Sequence, residues 1–288
     1  MISEEILSKD SRLIALYGVN SQSSPFLKVL NTTFKTLGLI DFAIGLNIKP
    51  EAFLYMAKGM PSSKVTMALY EPEYQNEIVP LLDELDICIK QIRLCDGAYA
   101  KDGKLFGKCF YKESFKHLLT YENIDLFKKR VLLLGANGIG LIVLSSLSNL
   151  DILSVDIADT SVEDAAFALK MVKPTLKESK TDLLWFQSGI EVDVDRYDVI
   201  INAIDLYAHS DKKLIKVKGK NRDLILIDFV RGKSSFDTLS KELGCKKVGD
   251  YQWMVTTALC VAKEWLSAKI SYDDYKRIIK ILGDKKDG

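Results

Sequence analysis

Three glycines, Gly135, Gly138 and Gly140, follow the apolar run Val131–Leu134 and open a second apolar run at Ile139. Only glycine lets a backbone turn sharply out of a strand and approach a diphosphate without a Cβ in the way. A helix starting here would aim its free amides and the positive end of its dipole at phosphate oxygens, with Asn137 and Ile139 inside the turn. The spacing is G-x-x-G-x-G, not the commoner G-x-G-x-x-G. Asp156, about twenty residues on, reads as the end of the next strand, where a carboxylate accepts hydrogen bonds from an adenosine ribose. The same carboxylate repels a 2′-phosphate, so NAD is expected over NADP. S-adenosylmethionine sites use a similar loop and acidic strand end, so that cofactor stays open. The bland alternative is a strand–helix turn followed by a loop aspartate.

Other chemistries have less support. His117 and His209 lie far apart, and Cys88, Cys95, Cys109, Cys245 and Cys260 show no C-x-x-C spacing, so no metal site and no disulfide framework are expected. Reduced thiols suit a cytoplasmic protein. The formal net charge of +1 gives no reason to expect nucleic acid or a membrane surface as partner. The basic run Lys212–Arg222 reads as a solvated loop. No N-terminal charged–apolar–small pattern reads as a signal peptide, and no apolar run approaches the ~20 residues of a membrane helix. The expected partner is a small-molecule substrate, with a homodimer as one assembly option.

The elements that must position these residues alternate. Arg12–Val19, Phe42–Asn47, Val65–Tyr70 and Ile87–Leu94 read as strands. Leu27–Leu37, Lys49–Gly59, Asn76–Leu85 and Lys112–Leu119 read as helices. Strand–helix alternation predicts parallel pairing. After a polar junction at Thr120–Arg130, strands are expected at Val131–Leu134, Ile152–Asp156, Leu183–Phe186, Val199–Asn202 and Leu224–Asp228. Helices at Trp253–Leu266 and Tyr272–Leu282 follow, then a solvated tail. The expected fold class is α/β. An N-terminal substrate-type domain spans 1–118 and a Rossmann-like nucleotide-binding domain 119–250. The helices of 251–288 are expected to pack back toward the first.

Along its length the chain resembles the shikimate dehydrogenase family. "YGVNSQSSPFLKVLNTTF" resembles the family's G-x-x-x-x-H-S-x-S-P…H-N-x-x-F, "EIVPLLDELD" its P-L-L-D-E and "DGKLFG" its D-G-K-L-x-G. "GANGIG" stands for its G-A-G-G-A, and "DVIINAI", with Asn202 and Ala203, for its D-x-I-I-N-A-T. The resemblance implies an NAD(P)-linked oxidoreductase whose Lys–Asp pair handles the proton of a substrate hydroxyl. Here Tyr111 falls at the Asp position. The Lys position falls on Tyr70, Tyr74 or Gln75, depending on the anchor. Tyr111 and Tyr74 are therefore the candidate catalytic hydroxyls, with Lys108 or Lys112 to supply a nearby positive charge. Gln22 and Ser24 stand at the family's two early serines, Asp96 at its substrate-binding asparagine and Thr257 at its glutamine; with Gln75 these are the candidate substrate contacts. Asp96 is expected to repel a shikimate carboxylate, so a different small hydroxylated molecule is expected. A catalytically silent NAD-binding or ligand-sensing protein and a methyltransferase on the same scaffold remain open.

Overall fold

The computed structural model describes residues 11–147, 150–173, 180–185, 190–204, 215–232 and 234–284. The chain divides into two units, Met1–Ser114 with Met254–Gly288, and Phe115–Trp253.

The first unit is built on strand β1 (Leu13–Gly18), whose apolar residues are buried on both faces. Helix α1 (Pro25–Thr36) begins at the Ser24 cap, with Pro25 in its first turn, where a missing N–H costs nothing. Strand β2 (Phe42–Asn47), helix α2 (Pro50–Gly59) and strand β3 (Val65–Tyr70) follow. β1 lies between β2 and β3, paired parallel to both. The parallel expectation ends there. β4 (Gly97–Lys101) and β5 (Lys104–Lys108), preceded in the chain by helix α3 (Ile87–Ile92), add an antiparallel hairpin to β3. Its turn is Asp102–Gly103, both at positive φ, as a tight two-residue hairpin requires. The strand expected at Ile87–Leu94 is thus α3, because Asp86 caps it at the Ile89 amide (2.7 Å) and Cys88, Ile89 and Ile92 bury one helical face. The helix expected at Asn76–Leu85 is a series of turns, with one 3₁₀ turn at Val79–Leu81. Pro80 lacks a helix donor and disfavours helical geometry at the residue before it. Helix α4 (Phe110–Tyr121) leaves the unit at Ser114.

The second unit is a parallel sheet. Strands β6 (Arg130–Leu134) and β7 (Ser154–Asp159) flank helix α5 (Ile139–Leu147). After helix α6 (Val162–Val172) come β8 (Lys180–Trp185), β9 (Ile190–Asp193), β10 (Val199–Asn202), β11 (Ile215–Lys218) and β12 (Ile225–Asp228). Helix α7 (Ser235–Leu243) and β13 (Lys246–Val248) complete it. The sheet order β13-β12-β10-β6-β7-β8 is that of a Rossmann-like fold, so the expected α/β class stands. β9 and β11 form a separate parallel pair. Part of the basic run expected as a loop is therefore strand Ile215–Lys218; residues 212–214 lie outside the described ones, as do His209 and residues 285–288, while Gly283 and Asp284 of the expected tail belong to the last helix. Helices α8 (Asp250–Glu264) and α9 (Tyr272–Asp284) follow, and from Met254 the chain belongs to the first unit. Among the described residues no helix is long and apolar enough to cross a membrane, and no His/Cys/Asp/Glu group could hold a metal ion.

One buried carboxylate sets the start of α4. Asp96 accepts the Phe110 amide at 2.8 Å on one oxygen and the Tyr111 amide at 2.6 Å on the other. Burial pushes its pKa up to about 7, against the pull of those two hydrogen bonds. A raised carboxyl pKa stabilises the fold fully below the ordinary carboxylate range, and that stability is lost as pH rises through about 7. Urea unfolding should therefore show the stability gap between the native protein and Asp96→Asn shrinking from pH 4 to 8, by up to about 3–4 kcal/mol. A gap that stays constant across this range would refute the assignment.

Candidate active site

In the second unit the chain turns out of β6 at Gly135, with φ of +95°. A Cβ there would lie 2.7 Å from the backbone carbonyl of Ala203, whose own amide donates to Leu134 at 2.7 Å. At Gly140 a Cβ would lie 2.1 Å from the Gly135 oxygen. These two glycines are required by the packing of the loop itself. Gly138 differs: its φ is +50°, and a Cβ would meet nothing within 4 Å. Asn137 is exposed and reaches Asp164 at 3.5 Å, and Ile139 opens α5. A bare turn at Gly138 before a helix N-terminus fits a dinucleotide diphosphate.

Asp156 does not end its strand. β7 starts two residues later than expected and runs to Asp159, which leaves Asp156 buried in the strand. Its carboxylate accepts the Tyr197 hydroxyl at 2.7 Å and lies 3.9 Å from the Arg196 guanidinium. Burial, then that carboxylate, push the Tyr197 pKa up. The strand-end carboxylate beside the glycine loop is Asp159, which accepts the Ala136 amide at 2.6 Å and the Ser161 amide at 2.9 Å. The second aspartate of "DIAD" was the available signal; misplacing the strand start hid it. Asn202 ends β10 and donates to the fully buried Asp228 at 3.1 Å, which also takes the Lys247 ammonium at 3.2 Å. That charge is balanced within the sheet, so Asn202 works there as a tether for the strand ends.

In the first unit the candidates gather at the carboxyl ends of β1, β2 and β3. Ser24 accepts the Phe26 amide at 3.2 Å and donates its hydroxyl to the buried Glu71, which directly follows β3. Gln22 is exposed and is held by Asn47 through its amide at 2.9 Å. Gln75 is buried, and its Nε2 donates to the Tyr70 carbonyl at 3.0 Å and to the Tyr111 hydroxyl at 3.1 Å. Gln75, one of the three residues at the Lys position, thus hydrogen-bonds Tyr111.

Tyr74 is corrected to a packing residue. Its ring stacks on Phe53 with centroids 4.1 Å apart, and its hydroxyl donates to the Ile48 carbonyl. Tyr70 is buried edge-on between Tyr17 and Phe53. Asp96 is also corrected: both its oxygens face the α4 amides, so it caps a helix and does not line a pocket as a bare anion. Lys108 pairs with Glu264 at 3.5 Å, so it is no dedicated counter-charge for Tyr111. Thr257 is buried within α8. Sequence reasoning missed Glu71, although a lone acid closing the apolar strand "VTMALY" was a signal.

No family model matches the chain. In sequence it is 23% identical over 281 residues to the shikimate dehydrogenase (NADP(+)) of Methanocaldococcus jannaschii, covering 95% of this chain and 98% of that one. In fold it is similar to a crystal structure of a shikimate dehydrogenase in complex with NADP+, with a TM-score of 0.81 at 22% identity over 96% of this chain and 97% of that one. It is also similar to the ligand-free 5-ketofructose reductase of Gluconobacter sp. strain CHM43, with a TM-score of 0.79 at 16% identity over 96% and 100%. Along nearly the whole chain the sequence is thus similar to shikimate dehydrogenases, and the two-part α/β fold is the one their structures share.

Proposed function

We propose that the protein is an NAD-linked oxidoreductase that interconverts a hydroxyl and a carbonyl on a small hydroxylated molecule other than shikimate. The contact between Gln75 and Tyr111 carries this reading. It supports a neutral amide–phenol pair acting in place of the charged Lys–Asp pair that the family resemblance implies. A bound nicotinamide supplies or takes up the hydride. The chain's part is the proton. Gln75 donates to the Tyr111 oxygen, which directs the phenolic proton away from Gln75, and the same hydrogen bond would stabilise the phenolate left after transfer. A phenol can hand its proton to the oxygen of a carbonyl as that carbonyl is reduced, which is the step this pair fits. The fold neighbour named for 5-ketofructose supports a scaffold not tied to shikimate. Five cysteines without a disulfide suit the reducing cytoplasm in which we place the protein.

The relatives matched in sequence are NADP(+) enzymes by name. In this chain Asp159 is followed by Thr160, and Glu163 and Asp164 stand in the first turn of α6. A 2′-phosphate beside Asp159 would meet the negative charge of these acids, and the sequence from Thr160 to Leu169 offers no arginine or lysine, which supports NAD.

Two measurements test these readings. Titration calorimetry should show NAD binding at least tenfold more tightly than NADP, and Asp159→Ser with Thr160→Arg should reverse the order. Equal affinities in the native protein would remove the case for NAD. Tyr111→Phe should leave NAD affinity within about twofold and lower kcat by about 10²–10⁴-fold on any substrate that turns over. An unchanged kcat would strip Tyr111 of its role.

A further inference from the structure

The hydroxyl of Ser24 is already committed. It donates to Glu71, a carboxylate of the chain's own that is only 5% exposed. Gly18, at the end of β1, makes room for this arrangement, since a Cβ there would lie 2.6 Å from Glu71 Cγ and 2.6 Å from Ser21 Oγ. Glu71 and Ser21 therefore flank one point at the end of β1. Ser21 is fully buried, and its hydroxyl has no hydrogen-bond partner among the described residues. Four residues beyond Glu71, around the turn Pro72–Tyr74, stands Gln75 with its bond to Tyr111. The same strand-end edge thus holds a buried carboxyl group, an unsatisfied buried hydroxyl and the amide–phenol pair.

We propose that Glu71 determines specificity at this edge: its carboxylate occupies the Ser24 hydroxyl and repels a second anion, so the site takes neutral polyhydroxylated molecules and rejects carboxylates. This rests on reading the Gln75–Tyr111 edge as the place of reaction. A ligand carboxylate would find the Ser24 donor taken and a like charge beside it, and such repulsion is strong where water is excluded. A neutral polyol brings hydroxyl donors that a carboxylate oxygen accepts, and hydroxyl oxygens that Ser21 can donate to.

The test uses pairs that differ only in the carboxyl group: shikimic acid against its methyl ester, and quinic acid against its amide. Each is titrated calorimetrically into the full chain saturated with NAD, and turnover is followed at the reduced-nicotinamide band. The native protein should bind the neutral member at least tenfold more tightly. Glu71→Gln should bring the two within about threefold of each other. Ser24→Ala, which removes the donor and keeps the charge, should preserve the preference and so separates repulsion from loss of an anchor. Acid bound as tightly as its neutral partner, binding of neither, or a ratio unmoved by Glu71→Gln overturns the inference. Failure of the underlying reading looks different: the neutral preference persists and follows Glu71, while Tyr111→Phe changes no turnover.

Discussion

The two hydrogen bonds from the first amides of α4 to Asp96 hold the Gln75–Tyr111 pair in place. The first amides of any helix lack intrahelical partners, and a buried helix start must find acceptors for them. Asp96 supplies two from the residue just ahead of β4, which ties the hairpin strand to the helix. With the backbone fixed at Phe110 and Tyr111, the Tyr111 hydroxyl meets Gln75, itself anchored at the Tyr70 carbonyl where β3 ends. The carboxylate is costly, since burial drives its pKa toward neutrality. The site gains orientation at the expense of stability at neutral and alkaline pH.

At the glycine loop the residues proposed to face a nucleotide are also ones that hold the fold. Ser161 caps α6 at the Asp164 amide (3.1 Å), and Glu163 and Asp164 favour the positive end of its dipole. Asp159 holds the loop at Ala136 and the turn at Ser161. Each acid has a structural reason to be there. Together they concentrate negative charge at this strand end, which is the basis of the NAD preference proposed above.

How far the sequence could be read depended on whether the signal was local. The glycine loop was legible because its spacing and the flanking apolar runs lie within ten residues. The β4–β5 hairpin was also written locally, in Asp102–Gly103, but the expectation of regular strand–helix alternation overrode it. "ICIKQIRL" is short enough to satisfy strand and helix patterns alike, and the Asp86 cap decided for the helix. The three-residue error at Asp156 came from counting Ile152 and Leu153 as strand, although β7 opens at Ser154. The Ser24–Glu71 contact joins residues 47 apart, and nothing in either neighbourhood announces the other. A contact of that kind depends on the fold, and one sequence read along its length does not contain it.

The neutral Gln75–Tyr111 pair also fits the charges already buried around it. An aspartate at position 111 would stand on the residue whose amide Asp96 already accepts. Two unit charges 4 Å apart at an effective dielectric of 20 repel by about 4 kcal/mol. A lysine at position 75 would offset part of that only by burying a third charge, beside a turn that already carries Glu71. A neutral phenol and amide can exchange a hydrogen bond at the same place with none of these costs. A charged pair placed at positions 75 and 111 would thus have to coexist with the buried carboxyl groups of Asp96 and Glu71.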